Sequence, residues 1–445
     1  MSANGTNSKG VIPLIINNNS VVTETIFDVH NPATGEVIDR CASASVDDVN
    51  RISSRRRQTL CFPEEELIKY QMEETGAGRM FVEKTFEMGA AFIKDFAARI
   101  PSIEGSVPSV SEQGECAMVF KEPYGVVLGI APWNAPYILG TRAIALPLAA
   151  GNTAVLKGSE LSPKCFWSIG DIFREAGLPA GCLNVVYHRP ADAAPVTTAL
   201  IAHPAVRKIS FTGSTQVGSI IASTAGKYVK PVVLELGGKA SAIVLDDANL
   251  ERAAMSCSLG AFMHSGQICM STERIVVQRS IADRFRTLLA DASETVFGKH
   301  TPAPVLVASA AGADLVYGER NPSEESGNSL RPVIVGNVTK DMDLYSAESF
   351  GPTVSLMVVD TEEEAVALAN DTEYGLTSAV FTDNLFRGLR VAKQIESGAV
   401  HINSLTVHDE PVLPHGGWKS SGYGRFGGPA AYDEWLQTKT VTWVQ

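Results

Sequence analysis

From residue 125 onward, short β-branched runs alternate with stretches of helical length, and this alternation limits the fold more than any other feature. The strand candidates are 126–130, 153–157, 183–187, 208–212 and 232–236. Between them lie 137–150, 163–177, 194–202 and 215–226, each with apolar residues at helical spacing. Strands that are apolar throughout and separated by helices are buried on both faces, which predicts a parallel, doubly wound sheet of the nucleotide-binding kind. The alternation resumes after residue 280: helix 281–292, then 302–317, 333–338 and 353–360 alternating in type, helix 362–370, strand 377–381, helix 385–395 and strand 398–403. A second α/β domain follows from that. The first hundred residues say less. Asn31-Pro-Ala-Thr-Gly-Glu36 is a turn between two strand-like runs, and 46–57, 63–80 and 81–100 are helical in pattern. Residues 106–120 read as a hairpin about Glu112-Gln-Gly-Glu115. The alternating tail 438–444 is a strand that must pair, with that hairpin or with another subunit.

At 445 residues the chain exceeds one hydrophobic core and implies two or three domains, and 45% hydrophobic residues supply the core material. A net charge of -12 disfavours nucleic acid or an acidic membrane as partner. Seven cysteines, odd in number and without C-x-x-C spacing, disfavour a disulfide framework or a metal site and point to a reducing compartment. The first ten residues lack a charged leader followed by an apolar core, and no run is long enough to span a bilayer. The expectation is a cytoplasmic protein.

Three residue types carry chemistry. Cys269 lies on the connection between a helix (250–263, with N-cap candidates in Asp246-Asp-Ala-Asn249 and a stop at Gly266) and a strand (274–278). A cysteine on such a connection can be presented to a substrate, whereas one on an apolar helix face is core material. Glu235 sits in the apolar strand Pro231-Val-Val-Leu-Glu-Leu236; it is either a base with a raised pKa or a paired, capped strand-end carboxylate. Asn134 closes the strand 126–130, where an amide can donate to a developing oxyanion or simply make a turn beside proline. Lys157 and Glu160 leave another strand end, as ribose ligands or as an exposed charged turn. No G-x-G-x-x-G follows any of the strands 126–130, 153–157, 183–187, 208–212 and 232–236. Phe211-Thr-Gly-Ser-Thr-Gln-Val-Gly218 instead opens a helix on a glycine turn, an anion site or a plain strand-to-helix connection.

Taken together, Pro132-Trp-Asn134, Lys157-Gly-Ser-Glu160, Phe211-Thr-Gly-Ser-Thr215, Glu235-Leu-Gly-Gly-Lys239, Gly266-Gln-Ile-Cys269, Glu348-Ser-Phe-Gly-Pro352 and Pro414-His-Gly-Gly-Trp-Lys-Ser-Ser-Gly422 resemble, in order and across nearly the whole chain, the signature motifs of the aldehyde dehydrogenase superfamily. The resemblance implies Cys269 as nucleophile, Glu235 as general base, and Asn134 with the Cys269 amide as oxyanion hole. It implies NAD as cofactor, NADP being the alternative. Lys157 and Glu160 would hold the adenosine ribose, Gly213, Ser214, Thr215 and Gly218 the pyrophosphate, Glu348 the nicotinamide ribose, and Phe350 with Trp133, Leu236 and Gly237 the rest of the dinucleotide. The implied layout is a Rossmann-like cofactor domain (1–104 and 125–236), a catalytic α/β domain (237–430) and a bridging β-arm (105–124 and 431–445) in a homodimer or homotetramer. The reaction implied is oxidation of an aldehyde to its acid through a cysteine thiohemiacetal and a thioester hydrolysed by Glu-activated water. The stretches 140–147, 407–417 and 421–428 are most similar to the salicylaldehyde and vanillin dehydrogenase branch, which suggests an aromatic or conjugated aldehyde. Arg142 would donate to a ring hydroxyl or lie on an outer helix face, and His415 stands where relatives have a tunnel-lining phenylalanine. The stretches 51–75 and 298–302 are shorter than in the family. That leaves a second expectation, a catalytically impaired relative with a structural or cofactor-binding role.

Overall fold

The computed structural model describes residues 10–49, 64–298, 314–318 and 331–444. The five expected strands form the parallel centre of an eight-stranded sheet, in the spatial order Gly422–Tyr423, Val232–Glu235, Val206–Thr212, Val126–Ile130, Thr153–Lys157, Leu183–Val186, Leu14–Ile16, Asn19–Val21. Val127, Leu128, Leu156, Val185, Ile209 and Val233 have no exposed surface. Each such side chain contributes about 1.5–3 kcal/mol relative to exposure, which is why the strands are apolar on both faces. The helices Pro136–Ala149, Pro163–Glu175, Ala193–Ala202 and Thr215–Lys227 connect them. The chain steps outward from Val126–Ile130 through two strands, then returns to lay Val206–Thr212 on the other side. That reversal opens a crevice at the strand carboxyl ends.

The second sheet has seven strands, in the order Asp314–Tyr317, Val333–Gly336, Thr353–Val359, Thr272–Gln278, Ala240–Val244, Thr377–Phe381, Ala399–Ile402, all parallel except the first. The architecture is the expected α/β one. Nine residue pairs join Leu436–Val444 antiparallel to Glu115–Pro123, so the C-terminal strand pairs within its own chain.

Three local readings need correction. Ala240–Val244, a central strand of the second sheet, was not anticipated, because only Leu236-Gly-Gly-Lys239 separates it from Val232–Glu235 and no helix intervenes. The helix expected over 63–80 ends at Thr75, where Gly76 takes a positive φ of 67°, and a new helix runs Arg79–Arg99. The expected hairpin over 106–120 is a single strand; its first half meets the second only at the Ser106–Val119 bridge. The expected helix 46–57 is seen as Val46–Val49; its remainder, most of 302–317, and the parts 51–63 and 299–302 of the shortened stretches 51–75 and 298–302 lie outside the described residues. Among the described residues no helix is long and apolar enough to cross a membrane.

Candidate active site

The cysteine loop is built by a short left-handed run. Helix Leu250–Phe262, capped by the Asn249 side chain accepting from the Arg252 amide at 2.9 Å, gives way to His264, Ser265 and Gly266 with φ of 49°, 57° and 71°. For the two non-glycine residues this backbone is unfavourable by about 1–2 kcal/mol each. Packing holds it in place: the His264 ring stacks on Phe81 at 4.7 Å, and Gly266 lies so close to the Gly351 carbonyl that a Cβ would overlap it. Burial keeps the His264 imidazole neutral, with its pKa lowered to about 4, opposed by a hydrogen bond to the Asn134 backbone. The loop then delivers Cys269.

Glu235 is the last residue of its strand and has no exposed surface. Its Oε1 accepts the Cys269 thiol at 3.0 Å, and its Oε2 accepts from Arg142 Nη2 at 2.8 Å. Arg142 Nη1 donates to Asp409 Oδ2, also at 2.8 Å, and His415 reaches within 3.8 Å of both Glu235 and Asp409. Of the two readings of Glu235, pairing is the one realised. Burial pushes its carboxyl up, but Arg142 first, then His415 and the Cys269 thiol, outweigh burial and bring it down to about 2. The Cys269 thiol moves the other way: burial first, then the adjacent Glu235 charge and hydrogen bond, raise it well above its ordinary value. The resting pair is therefore a thiol donating to a carboxylate.

Asn134 follows strand Val126–Ile130 and precedes helix Pro136–Ala149, whose proline at the first turn fixes the backbone there. It is buried and its Nδ2 donates to the Gln267 carbonyl at 2.8 Å, tying the oxyanion candidate to the cysteine loop. Asn134, Arg142, Cys269, His408 and Asp409 line one cavity of about 80 Å³ whose other walls include Phe81, Met88, Ile138, Leu139, Ile268 and Val407. Arg142 thus borders the cavity, but both ends of its guanidinium are engaged by carboxylates. His415 lies behind, against those carboxylates.

Strand register assembles the other face. Lys157 pairs with Ile130, Ile130 with Phe211, and Thr212 with Glu235, so Lys157, Asn134, Gly213 and Glu235 all leave the carboxyl ends of four adjacent parallel strands. Burial lowers the Lys157 ammonium to about 8 despite nearby Glu160, which is itself half-buried. Helix Thr215–Lys227 begins with Ser214 accepting from the Val217 amide, and its first turn is solvent-facing. A Cβ on Gly218 would strike Leu236, and one on Gly237 would come within 2.6 Å of Glu348 Oε2. These two glycines thus let Leu236 and Glu348 pack directly against the backbone. Glu348 accepts from the Gly238 amide at 2.8 Å, and burial above all raises its pKa to about 7. Phe350, with φ of 48°, meets Trp133 edge-on at 6.4 Å.

Some supporting residues were not anticipated. Asp409 anchors Arg142. Glu273 forms a buried ion pair with Lys239 and accepts from the Ser349 and Phe350 amides, which fixes the loop bearing Glu348. An acid at the start of strand Thr272–Gln278 is the sequence signal that could have found it.

The family model for the aldehyde dehydrogenase family matches residues 51–441. The chain belongs to the aldehyde dehydrogenase family. It is an oxidoreductase that oxidises aldehydes; Cys269 and Asn134 line one cavity, and Glu235 lies behind Cys269 within hydrogen-bond distance of its sulfur. The chain is similar to vanillin dehydrogenase of Pseudomonas fluorescens, 40% identical over 473 aligned positions that cover 97% of each chain. That alignment is longer than the 445 residues here, so the relative carries segments that this chain lacks. Among solved structures, a salicylaldehyde dehydrogenase from Pseudomonas putida complexed with salicylaldehyde is 34% identical, with TM-score 0.89 and coverage of 97% of this chain and 98% of that one. Betaine aldehyde dehydrogenase from Staphylococcus aureus in complex with NAD+ is 28% identical, with TM-score 0.89 and coverage of 97% and 95%.

Proposed function

We propose that this aldehyde dehydrogenase oxidises aromatic aldehydes to carboxylic acids with NAD, using Cys269 as nucleophile, Glu235 as general base and Asn134 as an oxyanion donor. One observation carries the reading: Cys269 Sγ lies 3.0 Å from Glu235 Oε1, at a cavity that Asn134 also lines. The cavity's apolar walls suit a flat ring, and the vanillin and salicylaldehyde dehydrogenases to which the chain is similar favour the same substrate class.

In the resting site Glu235 already holds the thiol hydrogen bond, so it takes that proton as the sulfur adds to the carbonyl carbon. The alkoxide that forms is steadied by the second Asn134 N–H and the Cys269 amide, donors positioned where negative charge develops only during reaction. A bound NAD would supply the acceptor for the hydride of the adduct carbon. Glu235 passes that first proton to solvent, then removes one from the water that attacks the thioester and returns it to the departing sulfur, so the acid leaves with Cys269 restored as a thiol. The glycine turn at Gly213, the exposed first turn of helix Thr215–Lys227 and the Glu348 carboxylate beside Gly237 fit a dinucleotide. Lys157 and Glu160 would hold its adenosine ribose; Glu160 favours NAD over NADP, because a carboxylate there repels a 2′-phosphate. Trp133, Leu236 and Phe350 would line its nicotinamide end.

The β-arm supports assembly into homodimers or homotetramers, since every residue of Leu436–Val444 after the first is exposed, Val441, Trp443 and Val444 among them. A cytoplasmic location is consistent with the free thiols of the described cysteines. Reduced-nicotinamide absorbance with a panel of aromatic and aliphatic aldehydes, each with NAD and with NADP, tests the reading. It predicts the highest kcat/KM for aromatic aldehydes with NAD. No turnover with any aldehyde would instead support the catalytically impaired alternative.

A further inference from the structure

We propose that Arg142, braced by Asp409, is a positioning residue for the general base, holding Glu235 by one oxygen so that the other stays free to work at the Cys269 sulfur. This rests on the reading of Glu235 as the base and Cys269 as the nucleophile. The geometry divides the carboxylate between two tasks. Oε2 is fixed by Arg142 at 2.8 Å, while Oε1 faces Cys269 at 3.0 Å. Arg142 itself has little freedom: it is 2% exposed, sits on the buried face of helix Pro136–Ala149, donates its other terminal nitrogen to Asp409 at 2.8 Å, and lies 4.8 Å over the Phe426 ring. An unpartnered carboxylate in such a place would take up a proton and be useless as a base. A guanidinium given wholly to Glu235 would make it too weak a base, because proton-transfer efficiency follows basicity. Asp409 draws off part of that charge.

The groups facing Glu235 are few. Arg142 approaches from the helix, Cys269 from its loop, and His415 from the C-terminal loop, with Asp409 behind Arg142 and His415. Glu348 acts on it only through its charge, and Lys239 and Glu273 are paired with each other. The lowered carboxyl pKa of Glu235, with Arg142 the largest opposing influence after burial, agrees with this arrangement.

Hydrolysis of the acyl-enzyme reads the base directly. p-Nitrophenyl acetate transfers its acetyl group to the Cys269 sulfur, p-nitrophenolate leaves, and the thiol proton passes to solvent. Decay of the acetylated protein is then followed by intact mass from pH 5.5 to 8.5. Two controls guard the underlying reading: Cys269→Ala should form no adduct, and Glu235→Gln should form one that persists. If either fails, the catalytic assignment has failed rather than the proposed role of Arg142. With the controls in place, wild-type decay is expected to be nearly flat across the range. Arg142→Met is expected to bring the acid limb into it, the rate falling roughly tenfold per pH unit below the new limb, and Arg142→Lys to restore the flat profile. Asp409→Asn is expected to slow decay several-fold at every pH. A merely structural role predicts one constant factor for Arg142→Met at all pH values, and that result overturns the proposal. Should Arg142→Met not fold, Arg142→Gln, which keeps a donor without the charge, takes its place in the same pH series, and a constant factor at all pH values again overturns the proposal.

Discussion

Replacing Asn134 by alanine separates the loop contact that its amide makes from the oxyanion role proposed for it. The side chain is 3% exposed, and its Nδ2 donates to the Gln267 carbonyl at 2.8 Å, which leaves one N–H for a substrate oxygen beside Cys269. Loss of an oxyanion donor lowers kcat by about 10²–10³, equivalent to roughly 2.7–4 kcal/mol of transition-state stabilisation. Loss of the loop hydrogen bond removes about 0.5–1.5 kcal/mol from the folded state, a Tm change of only a few degrees in a chain this size. The catalytic loss should therefore exceed the loss of stability, and KM should move little, because the interaction strengthens only once the oxygen carries charge. Steady-state reduced-nicotinamide absorbance with benzaldehyde gives kcat and KM, and thermal unfolding gives Tm. A kcat within about threefold of wild type, with Tm lowered as stated, would show that Asn134 only anchors the cysteine loop.

Gly238→Ala places a methyl group against the Cys269 carbonyl, so it should displace the nucleophile and reduce kcat by at least about tenfold; a kcat equal to wild type would contradict the close approach. Glu348, with its pKa raised to about 7, accepts a ribose hydroxyl best as a carboxylate, so NAD should bind more tightly as pH rises through 7. Fluorescence titration at pH 6 and pH 8 checks this, and Glu348→Gln should abolish the difference. The same raised pKa means that the folded chain binds more protons at Glu348 than the unfolded chain between 4.5 and about 7. Its contribution to stability therefore declines as pH rises through that window, and the pH dependence of urea unfolding should lose this component in Glu348→Gln. Val441→Asp on the exposed C-terminal strand should shift the elution volume on size exclusion toward the monomer, and an unchanged volume would remove the arm from the assembly account.

The parallel centre of the first sheet was legible because Val126–Ile130, Thr153–Lys157 and Val206–Thr212 are buried on both faces along most of their length and separated by whole helices. Ala240–Val244 was hidden because a Gly-Gly turn joins it directly to another apolar strand and leaves no change of period to mark the boundary. The proposed catalytic trio stood out for a different reason: Glu235 interrupts an apolar strand, Asn134 and Cys269 lie on connections at element ends, and the motifs around them follow the family's order. What surrounds them was not. Arg142 reaches Glu235 93 residues away and Asp409 267 residues away, and no local spacing can reveal which buried charges a fold will pair. The same long-range pairing explains why Glu235 has a depressed pKa rather than a raised one.

Intact-mass analysis of the Glu235→Gln variant mixed with benzaldehyde and NAD tests the central claim most directly. The account predicts one benzoyl group per chain, localised by peptide mapping to Cys269, with one equivalent of reduced nicotinamide released and little further turnover. An adduct on another residue, or continued turnover at the wild-type rate, would contradict it.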